Sequence, residues 1–360
     1  MLASILSLGL LGIEGFVVTT EVNLAPGMPA FDVVGLPDAA VKESRERVRA
    51  ALRNCGHAFP NGRLIVNLAP ADQKKEGPAF DLPIALGVLA CAGEIDPQAL
   101  SETAVLGELS LDGAVRGVRG ALPMVISALE AGVKRVMLPE ANANEVRCVE
   151  GIEILGVSHL KEAAAHFAGK SPIAPIEPVQ YAELLSRREH SVDFCHVRGQ
   201  KSAKRALEIA AAGGHNVLMI GPPGSGKTLM ARCLPTILPD MTFQEALEVT
   251  RIHSVAGCVP ETGLLTERPF RSPHHTASHA ALVGGGANAL PGEISKAHNG
   301  VLFLDELPEY RRDVLEALRQ PLEDGFVTVA RVSAQATYPA RFTLVCSMNP
   351  CPCGNLGSRT

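Results

Sequence analysis

The chain has 360 residues, 46% of them hydrophobic and 20% charged, a globular composition that excludes disorder as the main state and allows two domains. The net charge of −5 excludes a strongly basic protein, so any contact with nucleic acid must come from a local patch or an assembled ring. The nine cysteines are scattered and odd in number, which is typical of reduced thiols. We therefore expect a cytoplasmic protein.

The apolar start of the chain fits neither a secretory signal nor a membrane span. Glu14 lies inside the run and no basic residue precedes it, whereas a signal needs a positive amino end. Glycines at 9, 12 and 15 interrupt any helix there. We expect a buried pair of strands and no membrane partner.

Residues 1–168 alternate β-rich runs with apolar helices, which predicts one α+β domain. The predicted elements are strands at 33–36, 63–68 and 133–138, helices at 38–55, 82–93 and 122–131, and a hairpin at 105–115. Residues 169–192 carry three prolines at threefold spacing and predict an extended linker. Residues 193–360 form the second predicted domain, of α/β class.

The first functional motif of the second domain is a phosphate-binding loop. It stands between an apolar strand at 216–220 and an apolar helix at 229–234, the context that such a loop requires. Its glycines let backbone N–H groups surround phosphates, Lys227 should reach the β- and γ-phosphates, and Thr228 should bind Mg²⁺. The loop residues are Gly221, Pro222, Pro223, Gly224, Ser225, Gly226, Lys227 and Thr228.

Two later strands also end in polar residues. The run 300–304 leads into Asp305, a predicted Mg²⁺ ligand, and Glu306, a predicted general base for the attacking water. The run 341–348 leads into Asn349, whose amide can bond the γ-phosphate or the water. Carboxyl ends of strands are where open α/β sheets bind ligands. We therefore expect catalytic roles for Lys227, Glu306 and Asn349.

The second domain resembles the magnesium-chelatase-like AAA+ ATPases, and specifically the YifB/ComM family. The matching stretches are 197–200, 204–215, the phosphate loop, 271–275, 292–295, 297–306 and 349–354. The resemblance implies that Asn349 is the sensor residue and that Val197 and Gly199 lie beside the adenine. It also implies two inserted hairpins, at 276–291 and 326–338. Arg331 in the second is either a DNA contact or an ordinary surface arginine.

The first domain resembles the Lon-protease-like domain of the ribosomal S5 domain 2 type. The matching stretches are 77–81, 107–113 and 132–139. Active relatives use a serine and a lysine, but the matching positions here hold Ala79 and Leu122, which supply neither nucleophile nor base. The resemblance therefore implies a non-proteolytic domain. The basic residues of helix 38–55 are either a solvated face or a DNA patch.

The resemblance implies an ATP- and Mg²⁺-dependent motor that remodels single-stranded or branched DNA, by branch migration or as a helicase, during recombination of incoming DNA. It also implies self-association into a hexameric ring. Two alternatives stay open: a chelatase-type ATPase acting on a protein partner, and a nucleotide-binding assembly module with little turnover.

Two further expectations concern the carboxyl end of the chain. Cys351 and Cys353 make half of a tetrahedral zinc site, and no second pair of thiols stands nearby, so zinc is the less favoured interpretation. In the family, a helical lid and an arginine that reaches a neighbour's γ-phosphate follow the sensor strand. Eleven residues follow Asn349 here. We therefore expect an AAA+ core with the helical lid missing, and weak activity.

Overall fold

A computed structural model describes residues 1–186, 188, 192–286, 289–330 and 335–350. The chain divides into two units: Met1–Gln180 with Gly257–Leu264, and Tyr181–Ala256 with Leu265–Thr360. Each unit has its own hydrophobic core. Among the residues described, no helix is both long and apolar enough to cross a membrane.

The strands of the first unit are β1 (Leu2–Leu11), β2 (Glu14–Ala25), β3 (Ala30–Val34), β4 (Arg63–Ala69), β5 (Thr103–Val105), β6 (Glu108–Leu109), β7 (Val115–Arg116), β8 (Arg135–Pro139) and β9 (Glu153–Val157). Seven of them form a mixed sheet, in the order β3-β4-β2-β1-β5-β8-β9, and the helices of the unit pack on it. Its helices are α1 (Ala39–Asn54), α2 (Asp81–Cys91), α3 (Ala121–Glu130), α4 (Ala143–Val146) and α5 (Leu160–Phe167).

The predicted strand pair at the amino end is confirmed. Strands β1 and β2 pair antiparallel from Leu2 and Asn23 to Leu11 and Glu14. Helix α1 also begins as its sequence predicts, since the Asp38 side chain accepts a hydrogen bond from the Val41 N–H at 2.8 Å and so caps the first turn. The predicted hairpin at 105–115 is partly wrong. Val105 ends a strand of the main sheet, and only β6 and β7 form a hairpin.

Helix α2 forms the centre of the first core. All eleven of its residues are buried, which agrees with its uniformly apolar sequence. Its one charged residue, Asp81, is fully buried and receives two hydrogen bonds from Arg47 of α1, at 2.6 and 3.0 Å. The buried ion pair therefore joins α1 to α2.

The strands of the second unit are β10 (Val217–Ile220), β11 (Phe270–Arg271), β12 (Gly284–Gly285), β13 (Leu290–Pro291), β14 (Val301–Leu304), β15 (Phe326–Ala330), β16 (Gln335–Pro339) and β17 (Thr343–Met348). Four of them form a parallel sheet, in the order β10-β17-β14-β11. Its helices are α6 (Tyr181–Ser186), α7 (Lys201–Gly213), α8 (Lys227–Cys233), α9 (Phe243–Ala256), α10 (His279–Val283), α11 (Glu293–Lys296), α12 (Arg312–Glu316) and α13 (Arg319–Asp324).

This parallel sheet agrees with the α/β fold of a magnesium-chelatase-like AAA+ core that the sequence predicts. Strand β14 is buried along its whole length, between β11 and β17. Because all four strands run in the same direction, their carboxyl ends meet at one edge of the sheet. The loops that carry the predicted site residues leave from that edge.

The two predicted hairpin insertions have different outcomes. At the second insertion, β15 and β16 pair antiparallel from Phe326 and Pro339 to Ala330 and Gln335, the pairing that a hairpin predicts. At the first insertion, helix α10 comes before the short antiparallel pair β12–β13, so the strand pairing there is shorter than the predicted hairpin at 276–291. Arg331, Cys351 and Cys353 lie outside the described residues.

Candidate nucleotide site

The phosphate loop connects the carboxyl end of β10 to the first turn of α8. Gly224 and Gly226 have φ of +76° and +87°, in the left-handed region that favours glycine. Gly226 is also the residue that precedes α8. The sequence Gly-Ser-Gly therefore folds the loop back over the amino end of the helix, where N–H groups and the helix dipole favour an anion.

Lys227 reaches across this loop. Its Nζ donates to the carbonyl oxygens of Gly221 and Pro222, at 2.8 and 3.1 Å, and to Asn349 Oδ1 at 3.1 Å. The structure therefore brings together two residues that stand 122 positions apart in the sequence. The ammonium group lies where a phosphate in the loop would meet it.

The predicted magnesium ligands lie side by side. Thr228 Oγ1 donates to Asp305 Oδ2 at 2.9 Å, and Ser347 Oγ donates to Asp305 Oδ1. Strands β14 and β17 explain the second contact, because Leu304 is paired with Cys346 and the next residues therefore meet. Asp305 is thus oriented by hydroxyl groups from two other elements.

Glu306 occupies a strained position directly after Asp305. Its φ of +54° is left-handed, which is uncommon for a residue with a side chain and is concentrated at functional sites. Its side chain is 54% exposed, and its Oε2 lies 3.3 Å from Nδ1 of His275. The carboxylate therefore faces the open side of the site.

Residues from three strand ends line one cleft of about 330 Å³. The lining residues are Pro223, Gly224, Ser225, Gly226, Lys227, Thr228, Leu229, Asp305, Glu306, Ser347, Met348 and Asn349. The structure therefore places the three predicted catalytic side chains and both predicted magnesium ligands around a single space.

The predicted adenine-side loop lies next to the phosphate loop. Val197 is buried, and Gly199 and Gln200 both have left-handed φ, +72° and +49°. Gln200 Nε2 donates to the carbonyl oxygen of Ser225 at 3.4 Å, and Lys204 Nζ donates to that of Val197 at 2.9 Å. Loop 197–200 is thus tied both to α7 and to the phosphate loop.

The chemistry of the cleft fits a magnesium nucleotide. Ser225 Oγ is buried and has no hydrogen-bond partner among the described residues, so it is available to a ligand in the loop. The Thr228 hydroxyl and the Asp305 carboxylate are hard oxygen ligands of the kind that Mg²⁺ takes, usually with water and substrate phosphates completing its shell. Lys227 supplies the positive charge that phosphate oxygens need.

Sequence reasoning missed two residues at this site, Ser347 and His275. Ser347 stands two positions before Asn349, and alternate residues of an extended chain project to the same side, so that spacing was a usable signal. For His275, the sequence signal can be recognised only when the register of β11 with β14 is known. Arg271 pairs with Leu302, and the same offset of 31 residues separates His275 from Glu306.

The first unit carries the positions that were matched to a peptidase dyad. Ala79 and Leu122 are both buried, and neither side chain can donate or accept a proton. Part of the basic face of α1 has structural partners: Arg47 binds Asp81, and the Arg49 guanidinium lies 4.9 Å from the ring centre of Phe59. These contacts favour a structural role for both arginines.

Comparison with known proteins gives matches to two family models. Residues 193–360 match the model described as magnesium chelatase, subunit ChlI. Residues 20–142 match the model described as subunit ChlI of Mg-chelatase. The two matches fall on either side of the linker region predicted at 169–192.

Several bacterial proteins are similar over nearly the whole chain. The Escherichia coli protein YifB is 46% identical over 346 residues, which cover 96% of this chain and 67% of YifB. The Salmonella typhimurium YifB is 45% identical over 345 residues, covering 96% and 67%. The competence protein ComM of Haemophilus influenzae is 45% identical over 356 residues, covering 98% of this chain and 70% of ComM.

Proposed function

The chain belongs to the YifB/ComM family of magnesium-chelatase-like AAA+ proteins, and from this membership and the site geometry we propose that its second unit binds Mg-ATP and hydrolyses it. The observation that carries the proposal is the convergence of Lys227, Thr228, Asp305, Glu306 and Asn349 on one cleft.

Each of these residues has a distinct task in the proposed reaction. Lys227 leaves its carbonyl partners and neutralises the β- and γ-phosphates. Thr228 and Asp305 hold the Mg²⁺, which supplies positive charge to the phosphate oxygens. Glu306 orients the attacking water and takes its proton.

Asn349 has a task that its position in the cleft supports. Its Oδ1 already accepts a hydrogen bond from Lys227. When Lys227 turns to the phosphates, the Asn349 amide is free to bond the γ-phosphate or the water. Val197 and Gly199, on the loop tied to the phosphate loop, border the space for the adenine.

The dependence of ATP hydrolysis on Mg²⁺ tests the proposal. We expect the full chain to release phosphate from ATP with added Mg²⁺ and to stop with EDTA. Thr228→Val keeps the shape of the side chain and removes the hydroxyl ligand, so it should lose the response to Mg²⁺, whereas Thr228→Ser should keep it. Turnover by Thr228→Val at the wild-type rate, with the same dependence on Mg²⁺, would refute the proposed site.

The use made of ATP is the second part of the proposal. A competence protein, ComM, is 45% identical over 98% of this chain, which supports work on DNA that enters the cell. We propose that this family member associates with itself into a ring of six subunits, and that the ring remodels single-stranded or branched DNA. The description of both family models as magnesium chelatase subunits favours the second candidate, an ATPase that acts on a protein partner.

A further inference from the structure

Strand β3 leaves one edge of the first unit's sheet open. It is the outermost strand and, in the part of the chain that the structure describes, pairs with β4 alone. The Ala30 N–H donates to the Gly62 carbonyl oxygen at 3.3 Å, on the side of β4. Since successive N–H groups of a strand point to opposite sides, the N–H and C=O groups of Phe31 and Val33 face away from β4. They form a row of donors and acceptors that one more strand can use.

A groove of about 660 Å³ surrounds this edge. Residues from both faces of β3 line it, together with Lys42 and Arg45 of α1 and two residues of β4. Phe31 lies on the face that α1 covers, because it is buried in the same core cluster as the apolar residues of that helix. Val34 lines the opposite face and is 45% exposed. The groove therefore gives access to the strand edge and to the side chains on both faces.

The side of the groove that α1 forms is positively charged. Lys42 is exposed and has no ion pair among the residues described. Arg45 pairs with its neighbour Glu46 at 3.0 Å, but both side chains are at least half exposed, so this pair is weak and leaves the guanidinium accessible. The acidic residue that lines the groove, Asp32, lies on the opposite face and pairs with Arg63 at 3.3 Å. An acidic ligand therefore meets two accessible cations on the side of α1.

The opposite side of the groove offers apolar surface. Val34 and, just beyond the strand, Leu36 are 45% and 53% exposed. A strand added along β3 points alternate side chains to these two sides. We propose that β3 takes up an extended segment of a partner protein as an added strand, with acidic side chains towards Lys42 and Arg45 and apolar side chains towards Val34. This interaction is independent of the proposed ATP hydrolysis in the second unit.

A polypeptide fits this edge better than the other possible occupants. Its backbone supplies donors as well as acceptors, whereas a nucleic-acid strand has phosphate acceptors but no regular row of donors for the outward carbonyl groups of Phe31 and Val33. A second copy of this chain, paired through its own β3, would bring Lys42 and Arg45 against the same cations. Charge complementarity therefore favours an acidic segment of a different protein.

Binding of a designed peptide to the full chain tests this interaction. The probe is fluorescein-labelled Ser-Glu-Val-Glu-Val-Glu-Ser with an amidated carboxyl end, followed by fluorescence anisotropy. We expect saturable binding of this peptide and none of its counterpart in which lysine replaces each glutamate. Lys42→Glu should weaken binding by about fivefold or more, since an attractive contact becomes repulsive. The control Arg53→Glu replaces an exposed arginine of α1 outside the groove and should change the affinity by less than about twofold, because salt screens distant charges.

The backbone contacts need a separate measurement. N-methylation of alternate residues of the peptide blocks one of its two edges, and methylation of the remaining residues blocks the other edge. We expect one of these two peptides to lose binding and the other to keep it, because only one edge of an added strand meets β3. Equal losses for the two peptides, or binding by both, would overturn the proposal.

Hydrogen exchange followed by NMR locates the bound peptide. A saturating concentration should slow the exchange of the Phe31 and Val33 amides, which face the open side. Unchanged exchange at these amides would overturn the proposal, as would an acidic peptide that does not bind or equal effects of Lys42→Glu and Arg53→Glu. Displacement of the peptide by oligo(dT) at a lower concentration than unlabelled peptide requires would assign the groove to nucleic acid instead. A self-associated form of the chain that the peptide dissociates would make a second copy the occupant.

Discussion

Lys227 is the residue on which nucleotide binding depends most directly. Its ammonium group is satisfied by two carbonyl oxygens and an amide oxygen, all of which it must exchange for phosphate oxygens. Lys227→Ala removes the compensating cation, so we predict that ATP binding is abolished in a calorimetric titration. Lys134→Ala, which removes an exposed lysine of the first unit, is the control. Unchanged affinity in Lys227→Ala would refute the nucleotide site.

Substitution of Glu306 should slow the turnover of ATP without changing its binding. Glu306→Gln keeps the size of the side chain and removes the base, and general-base assistance is worth about a hundredfold or more in rate. We predict that the variant binds ATP with wild-type affinity and that phosphate release slows by that factor. Glu309→Gln, three residues further on and exposed, should behave as the wild type. Equal rates for both variants would remove Glu306 from the mechanism.

Between elements, the Arg47–Asp81 pair is the contact with the clearest energetic consequence. Asp81 is fully buried, and it also accepts a hydrogen bond from the Leu109 N–H at 3.2 Å. Breaking a buried pair leaves an uncompensated charge, so Arg47→Met should lower the free energy of unfolding of the first unit by about 3–5 kcal/mol.

Denaturant unfolding followed by circular dichroism measures this loss. Arg45→Met is the matched control, because Arg45 pairs with Glu46 at the surface, where both side chains are at least half exposed. An exposed pair contributes about 0–1 kcal/mol. Equal losses for the two variants would show that the buried pair does not hold α1 to α2.

How far the sequence predicts the elements depends on how local their determinants are. Helix α1 carries its own cap in Asp38, and the phosphate loop carries its glycines between an apolar strand and an apolar helix, so both were predictable. The hairpin at 105–115 was not. Its turn at Asp112–Gly113 does form, between β6 and β7, but Val105 pairs with Met137 and Ser7, so long-range pairing places the start of the predicted hairpin in the main sheet.

The candidate site shows the same division between local and long-range determinants. Lys227, Thr228, Asp305 and Glu306 follow from short motifs whose chemistry is recognisable in isolation. Ser347 has no motif of its own, and His275 stands in the matching stretch 271–275, which indicates no chemical role by itself. The contacts that both residues make with Asp305 and Glu306 follow from the register of β14 with β17 and with β11.

For the whole molecule, the response to DNA decides between the proposed uses of ATP. We predict that forked or single-stranded DNA stimulates phosphate release by the full chain. Because contacts to phosphate release counterions, the stimulation should fall steeply between about 50 and 200 mM salt. The same rate with every DNA, at every salt concentration, would contradict DNA remodelling and favour the protein-partner or assembly alternatives.

Strand β17 lies between the strand that leads into the phosphate loop and the strand that leads into the carboxylates. It therefore acts as a spacer. Adjacent strands are about 4.8 Å apart, so it sets roughly 10 Å between the backbones of β10 and β14. It also bonds both halves of the site, through Asn349 to Lys227 and through Ser347 to Asp305. A one-residue insertion in β17 would turn the side chains that follow it to the opposite face of the sheet and so separate Ser347 and Asn349 from their partners, so this strand should tolerate changes of side chain far better than changes of length.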